Sequence, residues 1–296
     1  MNYQNRLVGK SLNAMTRNKS FQSKAPLLYL VATPIGNLSE TSKRALDVFN
    51  EVDLIAAEDT RNTYSLLNQY GIKKELFSLR EHNEVEASNH IVSLLKKGKK
   101  VAYVSDAGYP GISDPGNILV KMAISEGINV STISGSSAFI NALVASGLPT
   151  DHFYFYGFLS KKGNEAKDAL LAMKDRGETL IFYESPHHIE KTLKTLLEVL
   201  GNREAVIARE LTKINEEYIR GSLEELNELD MDSLKGEMVV LVSGNLNNQS
   251  DISDEDIKNK LQYYLSFKID KKTAIELVKN DYNVGKNRVY KIAMEL

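Results

Sequence analysis

The sequence predicts an α/β protein built of two α/β domains followed by a C-terminal helical segment, and three observations carry that expectation. Short β-rich apolar runs alternate with amphipathic stretches from residue 27 to about 245, the pattern of a mainly parallel sheet covered on both faces. GLPTDHF at 147–153 interrupts the alternation with Gly, Pro and polar residues, after which it restarts. Past the polar stretch NLNNQSD at 245–251, residues 254–296 carry only helical spacing. The resulting division is a basic extension over 1–26, a first α/β domain over 27–148, a second over 149–246 and a helical tail over 254–296. A chain of 296 residues is comfortable for two domains.

In the first half, LLYLVA opening at Leu27 is a continuous apolar run, as expected of a strand buried on both faces. DLIAAE (53–58), a short run near 76–79, KVAYVS (100–105) and NVSTIS (129–134) read as further strands. Helices are expected near 42–50, 60–70, 84–97, after Pro115, and near 136–146. The second half offers FYFYGFL (153–159), TLIFYES (179–185) and AVIARE (205–210), with helices near 164–175 and 187–200 between them. YIRGSL (218–223) and EMVVLVSG (237–244) then suggest antiparallel strands completing a mixed sheet. The tail should hold three short helices with apolar faces Ile257/Leu261/Tyr264/Leu265, Ala274/Ile275/Leu277/Val278 and Val289/Tyr290/Ile292/Ala293.

Composition removes several classes of function. Hydrophobic residues make up 42%, enough for packed cores, and no apolar run reaches the roughly 20 residues needed to span a bilayer, so no membrane partner is expected. A net charge of −2 gives no global positive field, although a local basic patch is sufficient for nucleic acid. Cysteine is absent, which rules out disulfides and thiolate metal sites and fits a reducing cytoplasm. His187 and His188 are adjacent and would point about 100° apart on a helix, a poor chelate, so no metal is expected. Neither GxGxxG nor GxxxxGK[ST] is present, which argues against a nicotinamide or nucleotide fingerprint. Residues 1–26 carry Arg6, Lys10, Arg17, Lys19 and Lys24 and no acid, either a solvated tail or an arm for RNA phosphates.

The chemistry-bearing residues collect at strand ends, where open α/β sheets bind ligands. ATPIGN (32–37) is either an ordinary strand–helix turn or a loop whose Gly36 lets a ligand approach the backbone. VSDAGYPGISDPG (104–116) holds three glycines, two prolines and two aspartates, either a long surface turn or a backbone fixed for function. Within it Asp114 precedes Pro115 and is expected to cap the next helix, whereas Asp106 leaves the strand end free to meet a ligand. SGSSAF (134–139) is either a common serine cap or an anion site. AEDTRNT (57–63) and LREHNE (79–84) are expected to put two polar clusters on the same rim, either caps and surface ion pairs or a substrate surface. FYESP (182–186), ARELTK (208–213) and KGEMVV (235–240) mark strand ends in the second half, where Glu184 and Glu210 need partners, Arg209 being one candidate.

Taken in order, TPIGNL (33–38), AAEDTR (56–61), HNE (82–84), VSDAG with PGISDPG (104–116), FYESPHH (182–188), ARELTK (208–213) and KGEMV (235–239) resemble the tetrapyrrole-methylase-like, class III S-adenosylmethionine methyltransferases. Within that class the set, together with KKTAIELV and GKNRVYKIAM in the tail, is similar to the 16S rRNA cytidine 2′-O-methyltransferases. Three positions depart from the usual pattern: Tyr109 stands for Thr, Ser134 for Pro and Arg80 for His. The resemblance implies S-adenosylmethionine held in a cleft between the domains, a homodimer, and a decoding-region cytidine of the small ribosomal subunit as target. It implies a first-domain cofactor wall of Pro34, Gly36, Asp106, Ala107, Gly108, Ser134 and Gly135, with Tyr183, Glu184, Leu211, Thr212, Glu237 and Met238 toward the adenine.

Such a reaction mainly requires the ribose 2′-oxygen to be brought in line with the sulfur–methyl bond. Glu58, Asp59 and His82 are the candidates for a general base, and Arg61 and Lys213 for positioning phosphate or the oxygen. Two other readings stand beside this one: a methyltransferase of the same class acting on a tetrapyrrole, and a non-catalytic RNA-binding protein. Lys271, Lys272, Lys279, Lys286, Arg288 and Lys291 in the tail point toward RNA, unless they form only a solvated face.

Overall fold

The computed structural model describes residues 26–245, 252–282 and 284–296. Apart from Pro26, the basic N-terminal extension lies outside the described residues, as does the polar stretch at 246–251. The chain forms two compact units, one comprising residues up to Ala142 together with Glu210–Glu217, the other comprising Leu143–Arg209 and Tyr218–Leu296. Among the described residues no helix is long and apolar enough to cross a membrane.

In the first unit β1 (Leu27–Val31), α1 (Lys43–Glu51), β2 (Leu54–Ala57), α2 (Thr60–Gln69), β3 (Glu75–Ser78), α3 (Glu84–Lys96), β4 (Val101–Val104), α4 (Asn117–Ser125) and β5 (Asn129–Ile133) alternate, and α5 (Ala138–Ser146) runs across the division at Ala142. The sheet order is β3-β2-β4-β1-β5, and every pairing is parallel. Alternate strand residues serve opposite faces, as a period of two requires. Leu28, Leu54, Ala56, Val101 and Tyr103 pack with α3 and α4 residues such as Ile91, Leu95 and Leu119. Tyr29, Val31, Ile55, Ala57, Ala102 and Val104 pack with α1 and α2 residues such as Val48, Phe49 and Leu67. Both faces are therefore covered, which is why these strands read as unbroken apolar runs. The neighbouring strands β1 and β4 send their connections in opposite directions across the sheet, β1 toward β2 and β4 toward β5. Their carboxyl ends are the switch point at which ligands bind in open α/β sheets.

The second unit contains β6 (Phe153–Phe158), α6 (Gly163–Leu171), β7 (Thr179–Glu184), α7 (Ile189–Leu200), β8 (Glu204–Arg209), β9 (Glu217–Ser222), α8 (Leu223–Asn227) and β10 (Met238–Val242). Its sheet order is β6-β7-β10-β8-β9. β6 and β7 are parallel, while β10 runs antiparallel to both β7 and β8, giving the mixed sheet the sequence suggested. The tail folds as α9 (Asp254–Ser266), α10 (Lys271–Tyr282) and α11 (Lys286–Ala293) around a core that includes Ile257, Leu261, Ala274, Val278, Val289 and Ile292. Tyr290, expected on the apolar face of α11, is instead 51% exposed.

A second local expectation is corrected at α4. Helix α4 is capped by Gly116, not Asp114. Ser113 and Gly116 both take positive φ, 62° and 133°, so the loop turns again after Asp114 and leaves it two residues short of the cap. The acceptor comes from α3: one Glu84 carboxylate oxygen takes the Gly116 N–H at 2.8 Å and the Ile118 N–H at 3.0 Å. A charged acceptor on two otherwise orphaned amides is worth about 1.5–3 kcal/mol. Glu84→Ala is expected to lower the unfolding free energy by about that amount in urea titrations, and Glu84→Gln, which keeps an acceptor, by less.

Candidate active site at the carboxyl rim of the first sheet

Two rim loops are stitched together by backbone. Thr33 N–H donates to the Gly108 carbonyl at 2.9 Å, and Gly108 N–H donates to the Thr33 carbonyl at 3.0 Å. Thr33 also donates its hydroxyl to the Ser105 carbonyl at 3.3 Å. This bridge needs Gly108, whose φ is +73°, a conformation that L side chains adopt only with strain. Gly36 is required for a different reason: a Cβ there would lie 2.8 Å from Lys213 Cγ and 3.0 Å from Thr212 Oγ1. The first loop therefore approaches the 210–217 segment, which belongs to the same unit.

Three carboxylates sit at the ends of β2 and β4. Asp106 N–H donates to Glu58 Oε2 at 3.3 Å, and Asp59 N–H donates to Asp106 Oδ1 at 3.1 Å. Arg80 Nε donates to the Glu58 carbonyl at 3.1 Å, tying the end of β3 to the same cluster. The two acids that adjoin in sequence have opposite environments. Burial pushes the Glu58 carboxyl above its ordinary value, the nearby Asp106 charge adding to this and the Asp106 N–H partly offsetting it. Asp59 is held well below its ordinary value by the Arg61 side chain, which reaches both carboxylate oxygens at 3.1 and 2.5 Å. Asp59 also caps α2 through the Arg61 N–H at 2.8 Å. His82 is exposed in the turn Glu81–Asn83.

The 210–217 segment carries two non-glycine residues in the left-handed region, Glu210 at φ 50° and Thr212 at φ 68°. Strain of this kind costs about 1–3 kcal/mol per residue and persists where surrounding structure enforces it. Here Glu216 accepts the Thr212 N–H at 2.6 Å and Lys213 pairs with Glu210 at 2.9 Å, while Leu211 is buried. Thr212 Oγ1 is buried without a hydrogen-bond partner among the described residues. On the next loop Gly135 N–H meets the Tyr109 hydroxyl at 3.3 Å and Ser136 donates to Glu40 at 2.5 Å, so part of the expected anion-binding set is already engaged. Pro34 is half-buried; Asp106, Ala107 and Ser134 are exposed.

In the second unit, Glu184 is buried at the end of β7 and accepts from Thr192 Oγ1 at 2.5 Å and Ser185 N at 2.8 Å. The register places Met238 between Glu184 and Arg209, and Val239 opposite Tyr183. Glu237 is exposed at the entry to β10. Sequence reasoning missed Glu84 as a cap, Glu40 as the Ser136 partner and the strain at Glu210 and Thr212. The first two depend on contacts 32 and 96 residues apart, for which no local pattern exists.

The sequence pattern of the Tetrapyrrole (Corrin/Porphyrin) Methylases matches residues 27–227. The chain belongs to that family. It is 42% identical over 284 residues to "Ribosomal RNA small subunit methyltransferase I" of Bacillus subtilis (strain 168), covering 93% of this chain and 97% of the relative. The protein of the same name from Vibrio cholerae is 44% identical over 286 residues, covering 95% and 99%. Among solved structures, the methyltransferase CobJ superposes with a TM-score of 0.57 at 19% identity, over 75% of this chain and 95% of its own. The uroporphyrin-III-C-methyltransferase from Thermus thermophilus superposes with a TM-score of 0.54, also at 19%, over 74% and 94%. At that identity the two structures speak for the fold alone.

The cofactor of this methylase family member is S-adenosylmethionine, and the first unit's residues suit it. The orphaned Thr212 Oγ1 opposite Gly36 offers an unused polar atom beside a backbone free of side chain. Asp106 presents an exposed carboxylate at the β4 end, matched to a hydroxyl or a cation. Glu58 gives this rim a pH signature. Because burial raises its pKa above 4.5, the folded chain binds this proton more tightly than the unfolded chain does. Its contribution therefore favours folding in acid and is lost as pH rises from 4.5 through the folded value. Glu58→Gln is expected to unfold at higher temperature than the wild type at neutral pH, the difference closing as pH falls below 4.5; equal melting temperatures at every pH would contradict the desolvated environment.

Proposed function

We propose that the chain transfers a methyl group from S-adenosylmethionine to the ribose 2′-hydroxyl of a decoding-region cytidine in 16S rRNA, working in the cytoplasm as a homodimer on the small ribosomal subunit. The observation that carries this reading is the extent of the match to the rRNA methyltransferases. It covers 93–95% of the chain and so continues past residue 227, where the methylase pattern stops, into the helical tail. The tetrapyrrole methylase-like structures are matched over 94–95% of their own length by only 74–75% of this chain. The additional length favours a macromolecular substrate over a tetrapyrrole.

S-adenosylmethionine, when bound, would supply an electrophilic methyl group to the ribose 2′-oxygen, leaving S-adenosylhomocysteine as the product. Pro34, Gly36, Asp106, Ala107, Gly108, Ser134, Gly135, Leu211 and Thr212 are proposed to hold it on the first unit; Tyr183, Glu184, Glu237 and Met238 are the contacts proposed from the second. The hydroxyl proton needs an acceptor, and Glu58 is the best placed. Its carboxyl is desolvated and therefore more basic than its neighbour, whereas Asp59 is committed to Arg61 and to capping α2. Arg61, its side chain 83% exposed while anchored by Asp59, is suited to a substrate phosphate. Lys213 is held by Glu210 beside Gly36 and can serve the same end. Orientation provides about 7–11 kcal/mol of the barrier reduction and a positioned base about 10²–10⁴-fold.

The test is methyl transfer to small subunits isolated from cells lacking the protein, with the modified nucleotide mapped by mass. Methylation of a cytidine ribose is expected. Glu58→Gln should lower kcat by about 10²–10⁴-fold with adenosylhomocysteine affinity retained, and His82→Ala by far less. Wild-type turnover in both variants would remove both as the base. Transfer to a precorrin without transfer to RNA would replace the substrate assignment, and cofactor binding without any transfer would replace the enzymatic one.

A further inference from the structure

The charge of the chain is unevenly distributed. Residues 26–245 hold 23 Lys and Arg against 31 Asp and Glu, whereas 252–296 hold 9 against 7. A polyanion is therefore repelled by the average charge of the methylase body and attracted only where cations are concentrated. In the tail most acids are engaged away from any such concentration. Asp254 pairs with Arg288, Asp281 with Lys260, Asp256 closes the cap of α9 on Ser253, and Asp270 accepts from Thr273 ahead of α10.

Glu276 is the exception, and it gathers lysines. Its two carboxylate oxygens pair with Lys286 of α11 and, at 3.6 Å, with Lys279 of its own helix. Lys272 lies four residues before Glu276 and so on the same face of α10. Two cations thus bracket one anion, with Lys272 on the same helix face, and the Lys279 and Lys286 side chains remain 42% and 53% exposed. Lys286 holds the Glu276 carboxyl below its ordinary value, so the anion stays charged and the cluster keeps its geometry. One turn beyond Lys286 on α11, Tyr290 is 51% exposed, although its position in the helix had marked it for the core. Cations on flexible stems next to an uncovered aromatic ring are the parts that grip a phosphate backbone and stack an unpaired base.

We propose that the face formed by Lys272, Lys279, Lys286 and Tyr290 around Glu276 is the RNA-docking surface of the tail, holding the substrate through phosphates and one unstacked base. This rests on the rRNA reading of the function and adds to it the element that grips the substrate outside the site of chemistry.

The test uses the full-length chain and isolated small ribosomal subunits, with the dissociation constant followed as salt is raised. Each lysine–phosphate contact contributes about 0.7–0.9 to the slope of log affinity against log salt. Lys272→Gln combined with Lys279→Gln is expected to weaken binding roughly tenfold near physiological salt and to lower the slope by about 1.4–1.8. Lys272→Arg with Lys279→Arg should keep wild-type values. Tyr290→Ala should weaken binding with an unchanged slope, and Tyr290→Phe should restore it. Adenosylhomocysteine affinity measured on each variant reports an intact first unit. A wild-type dissociation constant and slope in the Gln pair would overturn the proposal. Subunits bound through this face but never methylated would instead remove the substrate assignment and leave the docking surface standing.

Discussion

The reciprocal pair of backbone hydrogen bonds between Thr33 and Gly108 fixes what the rest of the rim can do. It joins the loops leaving β1 and β4, the adjacent strands whose connections diverge, and so closes the switch point of the sheet. Asp106 sits two residues before Gly108 and inherits its position from that bridge. From Asp106 the fixed geometry passes to Glu58 through one backbone amide and to Asp59 through one carboxylate oxygen. The far end of the same loop is secured by Glu84 on the first turn of α4. A loop of Gly, Pro and Ser would otherwise sample many conformations; anchored at both ends it presents one.

Three carboxylates so close together would repel one another unless their environments differed. They do. Asp59 is neutralised by a bidentate Arg61 and spends its remaining capacity on a helix cap. Glu58 receives a single amide and is desolvated, which makes it more basic than Asp59. Asp106 is exposed and accepts one amide. Neighbouring acids are thereby given different chemistry by environment alone, the usual way a site sets a proton acceptor beside a permanent anion.

Much of this was legible in the sequence because its causes are local or periodic. Continuous apolar runs announce strands buried on both faces, and LLYLVA, LIAA and VAYV became three adjacent strands of one parallel sheet. Turn chemistry located the rim loops. What failed had non-local causes. Asp114 before Pro115 has the form of a cap, but the positive φ at Ser113 and Gly116 moved the helix start onward and let Glu84 take the role from another helix. Tyr290 fits an apolar stripe, yet Val289, Ile292 and Ala293 fill the tail core without it. Left-handed Glu210 and Thr212 break the propensity of their residue types, and such exceptions can be read only from a backbone. Tyr109 and Ser134 are also brought together by a non-local contact. The Tyr109 hydroxyl holds the amide of Gly135, next to Ser134, and so restrains that loop.

The same reasoning bears on how one fold serves unlike substrates. The superposition with two tetrapyrrole methylase-like structures at 19% identity shows that the two-sheet scaffold is shared while the sequence that dresses it is not. A fold sets where a site can be; the side chains and appended elements decide what enters it. In this chain the body is acidic and its rim carboxylates are net repulsive to a polyanion. Any RNA brought to Glu58 must have that repulsion offset by cations, whether at the rim, as with the exposed Arg61, or elsewhere on the chain. The tail gathers Lys279 and Lys286 around Glu276 on helices with a core of their own.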